Sequence, residues 1–140
     1  SKQKDTLDNL LGVVTIVLSA IAAVSLVVAG LGIMTVMIVS VNERTREIGI
    51  KKSIGATRRT ILLEFLIEAF TISLIGSIMG VAAGLALVWA GCALIGVAMS
   101  VNPALIAVSV ALTVGIGMVF GVYPATVAAR LRPVDALRTE

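Results

Sequence analysis

Histidine is absent from this sequence. That excludes His-ligated metal centres and His-dependent catalytic triads. Cysteine is nearly absent: Cys92 stands alone inside an apolar stretch, where it forms no disulfide within the chain and reads as a small packing residue. No G-x-x-x-x-G-K-[ST] run is present to cradle ATP phosphates. Any ATP hydrolysis therefore belongs to another chain or segment, and this chain is expected to be no enzyme itself, with no metal, cofactor or catalytic site of its own. Charge is also scarce: 14% of residues are charged and 59% hydrophobic, against roughly 25% and about 45–50% in soluble domains. So few polar residues cannot cover a water-facing surface, and a lipid environment removes the need.

What is present points the same way. Aromatics make up 4% while there are 13 Gly, a balance that suits helices packed closely in a bilayer. Residues 10–41 carry no charge, enough for a helix of about 48 Å, longer than the roughly 30 Å hydrocarbon core. The reading is a first span over about 10–41 with residues 1–11 as an outer stalk. Residues 42–59 follow with Arg44, Arg46, Lys51, Lys52, Arg58 and Arg59 against Glu43 and Glu47. Glu47 and Lys51 are four apart, acid first, the better order for a helical pair. Gly55 is a helix stop and Thr57 an N-cap for the next helix. A short amphipathic helix is expected here, then re-entry into the membrane.

The second span covers about 60–95. It opens with Glu64 and Glu68 and is then uncharged, with Gly76, Gly80 and Gly84 at spacing four and Trp89 near the far end. Asn102 before Pro103 reads as an N-cap and first helical residue. The third span runs over about 103–129, with Gly115, Gly117 and Gly121 as a second small-residue face. Pro124 lies near its end, and residues 130–140 form a basic tail with Arg130, Arg132 and Arg138. The glycine series are expected to be helix-packing faces rather than pathways, within one subunit or between two. Glu64 and Glu68 are expected to make interfacial ion pairs with Arg130 or Arg132, or with Arg44 and Arg46, in preference to a proton relay.

The fold class is thus an all-α membrane protein with three transmembrane helices and a short cytoplasmic amphipathic coupling helix. Basic residues concentrate in 42–59 and in the tail and are missing from 96–102. The positive-inside rule places the first two in the cytoplasm and the N-terminus outside. The net charge of +3 is topological information and implies no nucleic-acid partner. An outside N-terminus beginning with Ser1 implies an upstream span or a cleaved signal.

Two stretches are more specific than hydropathy. Residues 41–57 read VNERTREIGIKKSIGAT, followed by LIEA at 66–69, and residues 123–140 read YPATVAARLRPVDALRTE. Both closely resemble the permeases of the MacB/FtsX-like class of ABC transporters, with an E-R-x-R-E-I-G-x-x-x-x-x-G-A segment and a terminal Y-P-A-x-x-A-A-x-x-x-P-x-x-A-L-R pattern. The resemblance covers essentially the whole chain. It implies an FtsX-like permease domain in a bacterial plasma membrane, corresponding to the second, third and fourth of four spans, with the first span and the extracytoplasmic domain lying outside these residues. It further implies mechanotransmission: two permease copies, as homodimer or heterodimer, over ATPases that bind ATP and Mg, with a periplasmic or extracellular adaptor as a further partner. The ATPase-coupling residues it indicates are Glu43, Arg44, Thr45, Arg46, Glu47, Ile48, Gly49, Lys51, Lys52 and Gly55. Efflux, export or extraction of a substrate is the leading function. The alternatives are an FtsX-type signalling permease that activates cell-wall hydrolases without transport, and an ATP-independent transporter or channel.

Overall fold

A computed structural model describes residues 1–138 as five helices: α1 Lys2–Glu43, α2 Thr45–Ser53, α3 Arg58–Ile95, α4 Pro103–Arg130 and α5 Pro133–Arg138. No strand occurs among the described residues. Three helices, α1, α3 and α4, are long and apolar enough to cross a membrane. α1 has 42 residues and so is about 63 Å long, with the stalk region 2–11 continuous with the span. Thr139 and Glu140 of the basic tail lie outside the described residues.

The boundaries follow from local chemistry. The Ser1 hydroxyl accepts the Lys4 amide at 3.5 Å and opens α1. Thr57 Oγ1 accepts the Thr60 amide at 3.2 Å at the start of α3. Asn102 Oδ1 accepts the Ala104 amide at 3.0 Å, with Pro103 in the first turn of α4. Gly55 and Gly96 end α2 and α3 with φ of 108° and 78°, a region that side chains with a Cβ avoid. At Gly55 the amides of Gly55 and Ala56 return to the carbonyls of Lys52 and Lys51 at 3.2 and 3.0 Å. This double closure satisfies carbonyls that the helix end would otherwise orphan.

α4 is the central helix, packed against both α3 and α1, whose side chains converge on Gly117 and Gly121, while the α1 and α3 backbones barely touch. α3 meets α4 along Ala69, Ser73 and Ser77, which are buried, and continues through half-buried Val81 and Leu85. These are steps of four along one ridge, the usual packing unit of helices. α4 answers with Gly117 and Gly121. A Cβ on Gly121 would lie 2.5 Å from that of Ala69, and one on Gly117 would strike the Ser73 side chain. On α1, Gly30 lies against the ring of Phe120 in the same manner. The buried hydroxyls of Ser73 and Ser77 donate back to Ala69 and Leu74 carbonyls at 2.8 and 2.9 Å, so neither is left unsatisfied.

The core is confined to the end of the bundle nearest α2. Met37, Val41, Ile48, Ile61, Phe65, Ala69, Ala125, Ala128 and Ala129 form it. Toward the opposite end α1 is exposed from Lys2 to Ser25. Gly76, Gly80, Gly84 and Gly115, expected as packing faces, have no neighbour within 4 Å for an added Cβ. Each of Gly76, Gly80 and Gly84 precedes a ridge residue by one position, which turns it about 100° away from α4. Of the six glycines, the fold packs Gly117 and Gly121.

Candidate coupling site

α1 and α2 are separated by one non-helical residue, Arg44, with φ −102° and ψ 13°. The backbone ladder nevertheless runs through the elbow: the Arg44 amide reaches Ser40 O and its carbonyl accepts from Ile48, both at 3.0 Å. The Thr45 hydroxyl donates to the carbonyls of Val41 and Asn42 at 2.9 Å, covering groups at the end of α1. α2 is therefore a bent continuation of α1, rigidly joined to it.

The Arg44 guanidinium lies against α3. It contacts Glu68 at 3.3 Å, Glu64 at 3.4 Å and Glu47 at 3.5 Å, and stands 5.4 Å from the centre of the Phe65 ring. Lys51 joins the same cluster, at 2.7 Å from Glu64 and 3.4 Å from Glu47. Two cations thus face three carboxylates across the α1–α2 elbow and the first turns of α3. The hydrogen bond with Glu64 holds the Lys51 ammonium above its ordinary lysine range, against partial burial. Hydrogen bonds from Lys51 and then Arg44 hold the Glu47 carboxyl below its ordinary value.

Lys52 points the other way. Its ammonium donates to the carbonyls of Ala129 and Leu131, at the C-terminal end of α4, where a positive charge complements the helix dipole. Burial pushes Lys52 below the ordinary lysine value, and Arg58 acts in the same direction. Gly49 closes a third contact: a Cβ there would lie 2.7 Å from that of Ala136 on α5. Ile48, 2% exposed, enters the core. α2 is consequently fastened to α3 by Arg44 and Lys51, to α4 by Lys52 and to α5 by Gly49.

Most residues singled out in 43–55 therefore face inward, while Glu43, Arg46, Glu47 and Gly55 are exposed. Of the partners expected for Glu64 and Glu68, the structure brings Arg44 to both and not Arg130, Arg132 or Arg46, and it adds Lys51 on Glu64. The elbow carries Arg44 directly over the first turns of α3, whereas α4 turns Ala128 and Ala129 inward and leaves Arg130 exposed. Sequence reasoning missed Phe65, Ala136 and the carbonyls of Ala129 and Leu131 at the end of α4. Phe65 had a signal: with Ile61 and Ala69 it forms a row at spacing four on α3.

The C-terminal domain of FtsX-like permeases matches residues 10–133. The chain belongs to this family. Among relatives of this FtsX-like segment, the macrolide export ATP-binding/permease protein MacB of Bdellovibrio bacteriovorus is 45% identical over 90% of the chain and 19% of that protein. MacB of Rhodopirellula baltica is 51% identical over 86% of the chain and 18% of that protein. The ABC transporter permease YknZ of Bacillus subtilis is 45% identical over 91% of the chain and 32% of that protein. The FtsX-like segment thus spans between about a fifth and a third of the relatives it matches.

Proposed function

We propose that these residues are the membrane-coupling part of an ABC transporter permease that carries ATP-driven motion across a bacterial plasma membrane for efflux, export or extraction of a substrate. The observation that carries this reading is the mounting of α2. A push on α2 reaches α1 through the Arg44 elbow, α3 through Arg44 and Lys51, and α4 through Lys52. A helix attached to each span in this way moves with the bundle, and α1, at about twice the thickness of the hydrocarbon core, is long enough to deliver that motion beyond the far surface. The spans also lack the charged residues that mark a hydrophilic path through a bilayer: past Glu68, α3 carries no charge.

In this reading α2 and the tail face the cytoplasm, Ser1 and residues 96–102 face outward, and the bundle is bounded by lipid. ATP and Mg bind to an ABC ATPase, as separate subunit or fused domain, and this chain binds neither. A second permease copy, identical or homologous, and an outer adaptor complete the assembly. The test is a Ser53→Cys, Cys92→Ser variant of the full-length permease in membranes holding its ATPase. Ser53 is exposed on α2, and a short thiol crosslinker is expected to join it to the ATPase. A correctly inserted variant that yields no adduct at any stage of the ATP cycle would remove the coupling assignment.

A further inference from the structure

α5 has six residues, far fewer than an isolated helix needs to persist in water. Its order must come from what it lies on, and that is α2. Ala136 is fully buried, and its Cβ fills the place that a side chain on Gly49 would take. Lys52 fixes the α4–α5 junction from the same side by donating to Ala129 and Leu131 carbonyls. The two helices therefore form one unit, with α5 lying along the Gly49–Lys52 edge of α2.

The outer surface of that unit is apolar. On α2 and at its C-cap, Ile50 is 47% and Ile54 82% exposed, and their spacing of four puts them on one face. On α5, Leu137 is 47% and Val134 64% exposed at spacing three, and Leu137 Cγ lies 3.6 Å from the Cβ position of Gly49. The same segments expose five arginines, Arg46, Arg58, Arg59, Arg132 and Arg138, against three acids, Glu43, Glu47 and Asp135. The two lysines of α2 are turned to Glu64 and to backbone carbonyls instead.

We infer that α5 is the second half of the docking surface for the ATPase, with Leu137 and Val134 entering an acid-rimmed apolar groove beside Ile50 and Ile54. This rests on the coupling reading above and adds to it a partner contact outside α2. A protein groove is favoured over a membrane surface because the two helices are locked at backbone-limiting distance. A shape-specific partner requires such a lock, while anionic headgroups respond to charge without fixed geometry. Relatives named ATP-binding/permease proteins are matched over about a fifth of their length, and these residues hold no phosphate-binding loop, which leaves such a partner to be docked.

The experiment uses the full-length permease with its ATPase, purified in a detergent free of anionic lipid. Leu137→Glu and Ile50→Glu each place a carboxylate on the proposed surface, at positions already half exposed. Each is expected to weaken ATPase retention about tenfold or more, the effect of losing one buried interface anchor. Loss with Ile50→Glu but full retention with Leu137→Glu would sink the role of α5 and leave the coupling reading intact. Full retention with both would sink the reading itself. If Leu137→Glu keeps the ATPase and lowers activity only in vesicles containing anionic lipid, α5 is a lipid contact and the inference is overturned. The melting midpoint of each variant controls for unfolding: both are expected to match wild type, since neither side chain is buried.

Discussion

Arg44 offers the sharpest test of how the bundle is held. Arg44→Met keeps length and apolar character while removing the guanidinium. Its contact with Glu68, at 3.3 Å with both side chains about one-third exposed, is discounted for solvent to about 0.2–1 kcal/mol. The guanidinium over the buried Phe65 ring adds about 0.5–1 kcal/mol, the lower part of the cation–π range because Arg44 itself remains one-third exposed. Glu64 loses least, because Lys51 still holds it at 2.7 Å. The expected loss is therefore about 1–2 kcal/mol. Glu68→Gln alone should cost about 0.5–1 kcal/mol and nothing further in the Arg44→Met background, since its partner is already gone. The assay is a double-mutant cycle on unfolding in mixed micelles, read alongside activity as a function of pH. Additive losses would show that the two side chains are independent and refute the clamp. Unchanged stability in Glu68→Gln with a shifted pH profile of activity would identify Glu68 as a proton site instead.

Further outcomes follow from the same geometry. With Cys92→Ser as background, an impermeant thiol reagent applied to intact cells should label Ser100→Cys and spare Ser53→Cys; the reverse pattern would invert the proposed orientation. Gly121→Ala should destabilise the bundle by about 1–3 kcal/mol, because its Cβ falls 2.5 Å from Ala69 Cβ; Gly80→Ala, which meets nothing within 4 Å, should be neutral or slightly stabilising in the single chain, and a melting shift there only in the assembled complex would reveal a covering helix. Lys51 has a raised value in the folded protein, so its stabilisation is full below the ordinary 10.5 and is lost only as pH climbs through the higher folded value. Glu47 is lowered, so its contribution is present above the ordinary 4.5 and disappears as pH falls through the lower folded value. Unfolding midpoints of wild type and of Lys51→Met should therefore differ by a constant amount between about pH 5 and pH 9, and a difference that varies within that window would contradict the assignment.

The three long helices were legible because composition alone demands them: uncharged runs, Asn102–Pro103, Thr57 and Gly55 carry the mechanism of their own starts and stops. The pairing of faces was not. Gly76, Gly80 and Gly84 look like a packing row by spacing, yet the ridge that meets α4 is Ala69–Ser73–Ser77, one position out of phase. Spacing reports that residues share a face and is silent on which helix covers it. The ion cluster was half legible for the same reason. Glu64 and Glu68 plainly needed cations near the interface, and Arg44, Arg46, Arg130 and Arg132 were all near enough in sequence terms. The choice of Arg44 depends on the elbow at that residue, a backbone feature with no Gly or Pro to announce it.

The motif at 43–55 is mostly a mounting, and this changes how its variants should behave. Arg44, Ile48, Gly49, Lys51 and Lys52 hold α2 in place, so a defect in any of them reaches a partner only through a displaced helix. Gly49 allows the two effects to be separated. Gly49→Ala puts a Cβ 2.7 Å from that of Ala136 and forces α5 away at about 1–3 kcal/mol. Membrane insertion is untouched, since no basic residue changes. Adding Ala136→Gly removes the colliding atom and leaves Pro133 O at 3.5 Å and Leu137 Cγ at 3.6 Å as the next neighbours, which is ordinary contact. The double variant should therefore recover activity and ATPase retention to near wild type, because the roughly 1 kcal/mol that a glycine costs inside a helix is lost at Ala136 and regained at Gly49. Gly49→Leu, whose extra carbons Ala136→Gly cannot accommodate, should stay inactive in both backgrounds. The measurements are co-purified ATPase, ATP turnover and function of the whole system for all four combinations. A double variant no better than Gly49→Ala, or a Gly49→Ala variant that is fully active, would mean that α5 does not sit on Gly49 in the working complex.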